Sequence, residues 1–392
     1  MVFPYSLCGS FGPLGVVASI AGKYTWSTYL KNPKGRPIGM TGYEISLEKN
    51  STLHLEFNEK FKGKTATTFE VWINSDYDTL NITCPNITLL SKTAINNNLS
   101  VYRYRSDSVI HHLQIKALKP CAFWGVEFIH APQLIYQQCG LVGAQFIHLI
   151  QHKKEVVEQL QVLKPDMLIF SYGSNESYSS FDSLTYQTQI ETFLNTIKEK
   201  LPYAVILISN APDTRSGGKT PKNEMCINQI LELSAKNTNI SFLNINEAMG
   251  GWESLYKWKS NDLFLSDLLH FNNKGAQLIA DIFTYALFDC GNVNPPQIAQ
   301  MKKTLTERMN TILSSKSYHD EKIETPKPEK KPVPKIEKKP TKIPPTKKVY
   351  IVKSGDSLSS IAVKTRRSVK ELCQKNHIKD PNKLKTGQKI YY

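Results

Sequence analysis

Three short runs in the middle of the chain, DMLIF (166–170), AVILIS (204–209) and SFLNI (241–245), are apolar at consecutive positions, and each follows a helical stretch. Unbroken apolar runs of this length suit strands that are buried on both faces. AQFIHLIQHKKEVVEQLQVLK leads into the first run, residues 183–200 into the second and 223–236 into the third. GAQLIADIFTYALF closes the series, and a further helix is expected over 296–314. Strands alternating with helices predict an α/β fold, a three-layer arrangement with a parallel sheet covered on both sides, over residues 133–315. Sheets of this kind put their functional groups beyond the carboxyl ends of the strands.

Residues 42–132 follow a different pattern. TLHLEFN, TTFEVWIN, LNITC, SVYRYR and HHLQIKAL alternate apolar and polar residues, with Asn, Ser, Asp and Lys clusters between them. Several short alternating strands predict an inserted β-sandwich or jelly roll. Residues 1–41 are then expected to be the N-terminal part of the α/β domain.

Residues 316–348 include ETPKPEKKPVPKIEKKPTKIPPTKK, which has no periodic apolar face. Such a segment cannot bury enough surface to offset its ordering entropy, and it reads as a tether. The chain has 392 residues and a formal net charge of +15. Ten Lys against four Glu in 321–348, and ten Lys or Arg against three acids in 349–392, account for nearly all of it. Because the Lys residues of the tether alternate with Pro and no aromatic side chain is interleaved for base stacking, we expect no nucleic-acid partner. The seven cysteines are irregularly spaced without a CxxC pair, which predicts neither a zinc site nor a disulfide framework. No stretch is apolar enough to predict a transmembrane span. The start, MVFPYSLCGSFGPLG, lacks the charged and apolar regions of a secretion signal.

Residues 349–392 have a compact logic. Tyr350 to Val352 makes a strand, and Asp356 or Ser357 caps a helix burying Leu358, Ile361 and Ala362. Ser368 and Glu371 fit a capping box for a second helix, and Gly387 turns the chain into a last strand. This βααβ module carries Tyr350-x-Val352-x-x-Gly355-Asp356-Ser357-Leu358-x-x-Ile361-Ala362, Leu372-x-x-x-Asn376 and Leu384-x-x-Gly387-Gln388, and it resembles a LysM domain. Arg366-Arg367 departs from the pattern where a Gly often ends the first helix. The resemblance implies binding to N-acetylglucosamine-containing glycan, peptidoglycan or chitin, in a groove between Gly355, Asp356 and Ser357 on one side and Ile378, Lys379 and Asp380 on the other. Residues 355–358 also spell Gly-Asp-Ser-Leu, the nucleophile signature of an esterase family. Ser357 starts a helix in a 44-residue module with no His or Asp at a workable distance after it, so it is not read as a nucleophile.

In the α/β region three patterns fall where a parallel sheet would gather its functional groups. Gly143-Ala144 opens a helix, Gly173-Ser174-Asn175 follows the strand DMLIFSY, and Asp267-Leu-Leu-His270-Phe-Asn-Asn-Lys-Gly275 precedes a helix. Singly, each is an ordinary turn or cap. Together they fit acyl transfer, which needs a His base oriented by a carboxylate and donors aimed at a developing oxyanion. The set resembles the SGNH (GDSL-like) hydrolases, whose sheet is flavodoxin-like, over about residues 130–290. It is most similar to bacterial peptidoglycan O-acetylesterases, which carry a carbohydrate-binding-like β insert as residues 42–132 would. The resemblance implies Gly143 and Asn175 as oxyanion-hole donors, His270 as general base, Asp267 as its orienter, and no metal or cofactor. Val142 stands where many relatives have a polar residue.

One group of that family is not found. No Gly-Asp-Ser precedes the β region, and Gly9-Ser10 lacks a preceding apolar strand. The nucleophile Ser is therefore expected upstream of Met1, with Met1 not the natural start and the chain as given inactive. The resulting expectation is a cell-wall carbohydrate esterase, a peptidoglycan O-acetylesterase in the periplasm or secreted. The alternative is a non-catalytic peptidoglycan-binding adaptor with a degenerate hydrolase domain. No carboxylate pair stands out to suggest a glycosidase.

Overall fold

A computed structural model describes residues 16–317, apart from 33, 58–66, 75–79, 97–98, 130–138, 217–218 and 291–295, together with parts of 349–391. The chain divides into two compact units, one made of 1–212 and 230–248, the other of 213–229 and 249–392.

The first unit opens with two antiparallel sheets. One has the order β1 (Val16–Ala21), β4 (Thr52–Phe57), β9 (His112–Ala117), β6 (Leu80–Thr83). The other runs β2 (Tyr24–Thr28), β3 (Tyr43–Leu47), β10 (Cys121–Ile129), β5 (Thr68–Asn74), β8 (Leu99–Ser106), β7 (Ile87–Asn96). Ile45, Leu47, Leu53, Leu55, Phe69 and Val71 are among the side chains that fill the core of this sandwich. Strand β9 buries every second residue, as its sequence predicted. Strand β5 is buried almost throughout, because Trp72 on its other face packs with Trp124, Leu99 and Val101 against Val162 and Leu163 of the following helical region. The sandwich begins earlier than residue 42. Strand β1 pairs with β4 from Val16↔Phe57 to Ala21↔Thr52, and β2 pairs with β3. Residues 16–28 thus supply sandwich strands in a segment expected to belong to the α/β domain.

The expected long helix over 144–164 is two helices, α1 (Phe146–Gln151) and α2 (Lys153–Leu163). The break is at His152, whose backbone leaves helical geometry and whose ring stacks on Tyr29 at 5.1 Å. The three apolar runs form β11 (Met167–Ser171), β12 (Val205–Ser209) and β13 (Ser241–Leu243), paired in parallel in chain order. Helix α3 (Ser183–Lys200), capped by Asp182 accepting from the Thr185 N–H at 2.9 Å, makes the first crossover, and α4 (Glu224–Asn237) precedes β13. Short α5 (Ile245–Ala248) follows. Among the described residues β11 has no neighbour on its outer edge, and Ile169 is 40% exposed.

The second unit contains α6 (Ser254–Ser260), α7 (Asn273–Cys290) and α8 (Pro296–Ser314). Leu313 of α8 lies against Gly250, and its carbonyl accepts from the Lys257 ammonium. The C-terminal module shows β14 (Val349–Ile351) antiparallel to β15 (Lys389–Tyr391), and α9 (Val369–Asn376), around Val352, Ile361, Leu372 and Ile390. Asn376 ties helix to strand: its Nδ2 donates to the Leu372 and Tyr391 carbonyls, both at 2.9 Å, and its Oδ1 accepts from the Tyr391 N–H at 2.7 Å. No helix among the described residues is long and apolar enough to cross a membrane.

Candidate active site

In the second unit the Asp267-x-x-His270 element is a closed turn. Asp267 Oδ1 accepts from the Leu269 N–H at 2.9 Å and the His270 N–H at 3.0 Å. Its Oδ2 lies 2.7 Å from His270 Nδ1. Partial burial works against ionisation of Asp267. The hydrogen bond from the His270 ring, those from the two backbone N–H groups and the ring's charge outweigh it, and the carboxyl pKa falls to about 2. An ionised carboxylate can only accept, so Nδ1 carries the proton and Nε2 is left as the basic nitrogen. The side chains of His270 and Asp267 are 64% and 43% exposed, so solvent screens the pair and its value lies in orientation more than in stability.

The turn has a cost. Leu268 sits at φ +57°, a left-handed conformation that bulky side chains avoid. The hairpin around it is firmly seated. Leu265 N–H donates to the His270 carbonyl at 2.8 Å, and the Phe264 and Phe271 rings pack at 4.5 Å. Asn272 then caps α7, its Oδ1 accepting from the Lys274 and Gly275 N–H groups, both at 3.0 Å. Gly275 is required by close approach, since a Cβ there would overlap the Leu263 carbonyl oxygen. We expect Gly275→Ala to destabilise by about 3 kcal/mol, the upper end of overpacking costs. That corresponds to a melting temperature roughly 6–12 °C lower in a thermal scan. A change under about 1 °C would remove this role for Gly275.

In the first unit Gly143 and Gly173 adopt φ +81° and +115°. A Cβ at Gly173 would press on Ala211 at 3.1 Å. Asn175 Nδ2 donates to the Ala144 carbonyl at 2.8 Å, which fastens the Gly173-Ser174-Asn175 turn to the Gly143-Ala144 loop and leaves the second amide hydrogen for another acceptor. Val142 is exposed.

Sequence reasoning missed Glu176, the next residue. It is 1% exposed, and its carboxylate accepts from the Phe146 N–H at 2.6 Å, the Tyr186 hydroxyl at 2.9 Å and the Gly173 N–H at 3.0 Å. Burial pushes its pKa up, while these donors pull the other way. One side chain thus holds the start of α1, the Gly173 turn and helix α3. The available signal was an acid directly after a strand-terminal turn, but only Gly173 among its partners is close in sequence; Phe146 is 30 residues away and Tyr186 lies on helix α3. Glu176→Ala leaves three buried donors without an acceptor, and we expect a loss of roughly 3 kcal/mol or more in urea unfolding. An unchanged midpoint would mean that water replaces the carboxylate.

Of the predicted glycan-groove residues, Gly355, Asp356, Ser357, Lys379 and Asp380 lie outside the described residues. Ile378 is described and packs, half-buried, on the core around Leu372.

The LysM domain family model matches residues 350–391. That segment is a LysM domain. Within it two antiparallel strands and one helix are described. Over 75% of its length the chain shares the fold of a solved peptidoglycan O-acetylesterase, of which it covers 82%, with 19% identity and a TM-score of 0.52. A lipase/acylhydrolase from Enterococcus faecalis aligns at 18% identity and TM-score 0.29, over 36% of this chain and 69% of that one. A family two carbohydrate esterase from Clostridium thermocellum, in complex with cellohexaose, aligns at 12% identity and TM-score 0.27, over 69% of this chain and all of that one. No curated protein matches the chain in sequence.

Proposed function

We propose that this protein is a cell-wall carbohydrate esterase that removes acetyl groups from peptidoglycan, held at its substrate by the LysM domain. The observation that carries the proposal is the Asp267–His270 turn, in which an ionised carboxylate fixes Nδ1–H and exposes Nε2 as a base. The fold shared with a peptidoglycan O-acetylesterase supports the same reading. His270 takes the proton from a serine nucleophile as it attacks the acetyl carbonyl, and returns it to the leaving sugar hydroxyl. The Gly143 N–H and the second Asn175 amide hydrogen serve the oxyanion. Water then releases acetate by the same proton path in reverse. The serine is assigned to no described residue.

The LysM domain would bind N-acetylglucosamine glycan through Gly355, Asp356, Ser357, Ile378, Lys379 and Asp380, which places the work in the cell envelope or outside the cell. The test is acetate release from O-acetylated peptidoglycan, with de-O-acetylated wall as control. Release only from the acetylated wall supports the esterase. Wall binding without acetate release, in a form that contains the nucleophile, would leave an adaptor in its place.

A further inference from the structure

The strained turn at Leu268 is held from a second side. Arg215 N–H donates to the Leu268 carbonyl at 2.8 Å. Arg215 itself is 1% exposed, among the largest fully buried side chains of the described residues. Its Nη1 donates to Asp213 Oδ1 at 2.7 Å and to the Thr214 carbonyl at 2.8 Å, and lies 3.5 Å from Glu224 Oε2. The guanidinium carbon sits 4.5 Å from the Trp252 ring and 6.0 Å from that of Tyr256. Asp213 Oδ2 in turn accepts from the Leu255 N–H at 3.0 Å, which anchors the segment to helix α6.

Burying a guanidinium with two carboxylates is an inefficient way to stabilise a fold, since apolar side chains of similar volume often do as well. Apolar side chains cannot fix direction. The planar cation, clamped by two acids and stacked on a ring, sets where the backbone of 213–215 runs. That backbone presents the N–H that Leu268 needs. Without it, the hairpin is still closed at its base by the Leu265 N–H on the His270 carbonyl, but at the tip the left-handed leucine keeps, among the described contacts, only the bonds that Asp267 accepts from Leu269 and His270 and the 3.3 Å contact from its own N–H to the Leu265 carbonyl. Relaxing Leu268 would swing Asp267 off His270 Nδ1, because only two residues separate them.

We propose that Arg215 is a positioning residue for the base: through its backbone N–H it latches Leu268 in the left-handed conformation that sets Asp267 against His270. This rests on the reading of Asp267–His270 as a base pair. The readout is the tautomer of His270, observed by long-range proton–nitrogen NMR on full-length protein with labelled histidine, at alkaline pH. The signal is assigned by its loss in His270→Asn. No turnover is needed. In the unaltered protein the proton should sit on Nδ1. In Arg215→Lys, which keeps a cation for Asp213 and Glu224, Nδ1 should move from the protonated toward the bare-nitrogen range. Trp252→Leu, which disturbs no buried charge, should give a smaller shift in the same direction. Adding Leu268→Gly to Arg215→Lys should restore Nδ1–H, because glycine holds a positive φ without a latch. If the folded single variants both keep the unaltered tautomer, the latch is wrong while the base pair stands. If the unaltered protein already carries its proton on Nε2, the base-pair reading fails first, and the latch with it.

Discussion

In a preparation that releases acetate, His270→Ala lowers kcat/KM by several orders of magnitude. Removing the base of a Ser-His-Asp set leaves only what binding and the oxyanion donors supply, and losses of about 10³-fold or more are usual. The geometry makes the expectation specific. With Asp267 Oδ2 at 2.7 Å from Nδ1 and its pKa drawn down to about 2, the ring has a single nitrogen left for the reaction. Asp267→Ala costs less than His270→Ala, because the carboxylate orients the ring but does not carry the proton. Asn175→Ala costs roughly 10²-fold, the scale for losing one oxyanion donor, or about 2.7 kcal/mol. It also unfastens the Ala144 carbonyl, so part of its effect should appear as lower stability. Steady-state assays of the three variants give the order. If His270→Ala keeps more than a tenth of the activity, the base is another residue.

The second large effect is on binding. A chain ending near Ser315 loses co-sedimentation with peptidoglycan or chitin, while residues 349–392 alone retain it. The LysM match covers 350–391, and its core of Val352, Ile361, Leu372 and Ile390, with Asn376 bonded across to Tyr391, is made entirely within that segment. The module carries ten Lys or Arg against three acids, so it will also be drawn to anionic wall polymers. The comparison belongs at moderate salt, where contacts between exposed charges are screened beyond about 8–10 Å. Equal sedimentation of the two fragments would show that the domain is not what holds the protein to the wall.

The sequence by itself determined whatever depends on residues close along the chain. The Asp267–His270 turn was legible because its partners are three residues apart. The LysM domain was legible because turns, caps and apolar positions follow one another within 44 residues. Apolar runs between helices named the parallel strands, since that pattern is local too. Tertiary structure decided the rest. Strands β3 and β10 were missed because both of their faces are largely covered, which removes the alternation that marks a half-exposed strand. Residues 16–28 join the sandwich because of partners up to 41 residues away, and no short window records such pairing. Glu176 and Arg215 look like ordinary charged residues after a strand. Only burial, which makes every unpaired donor or charge costly, turns them into fixed points from which the turns carrying Asn175 and His270 are hung.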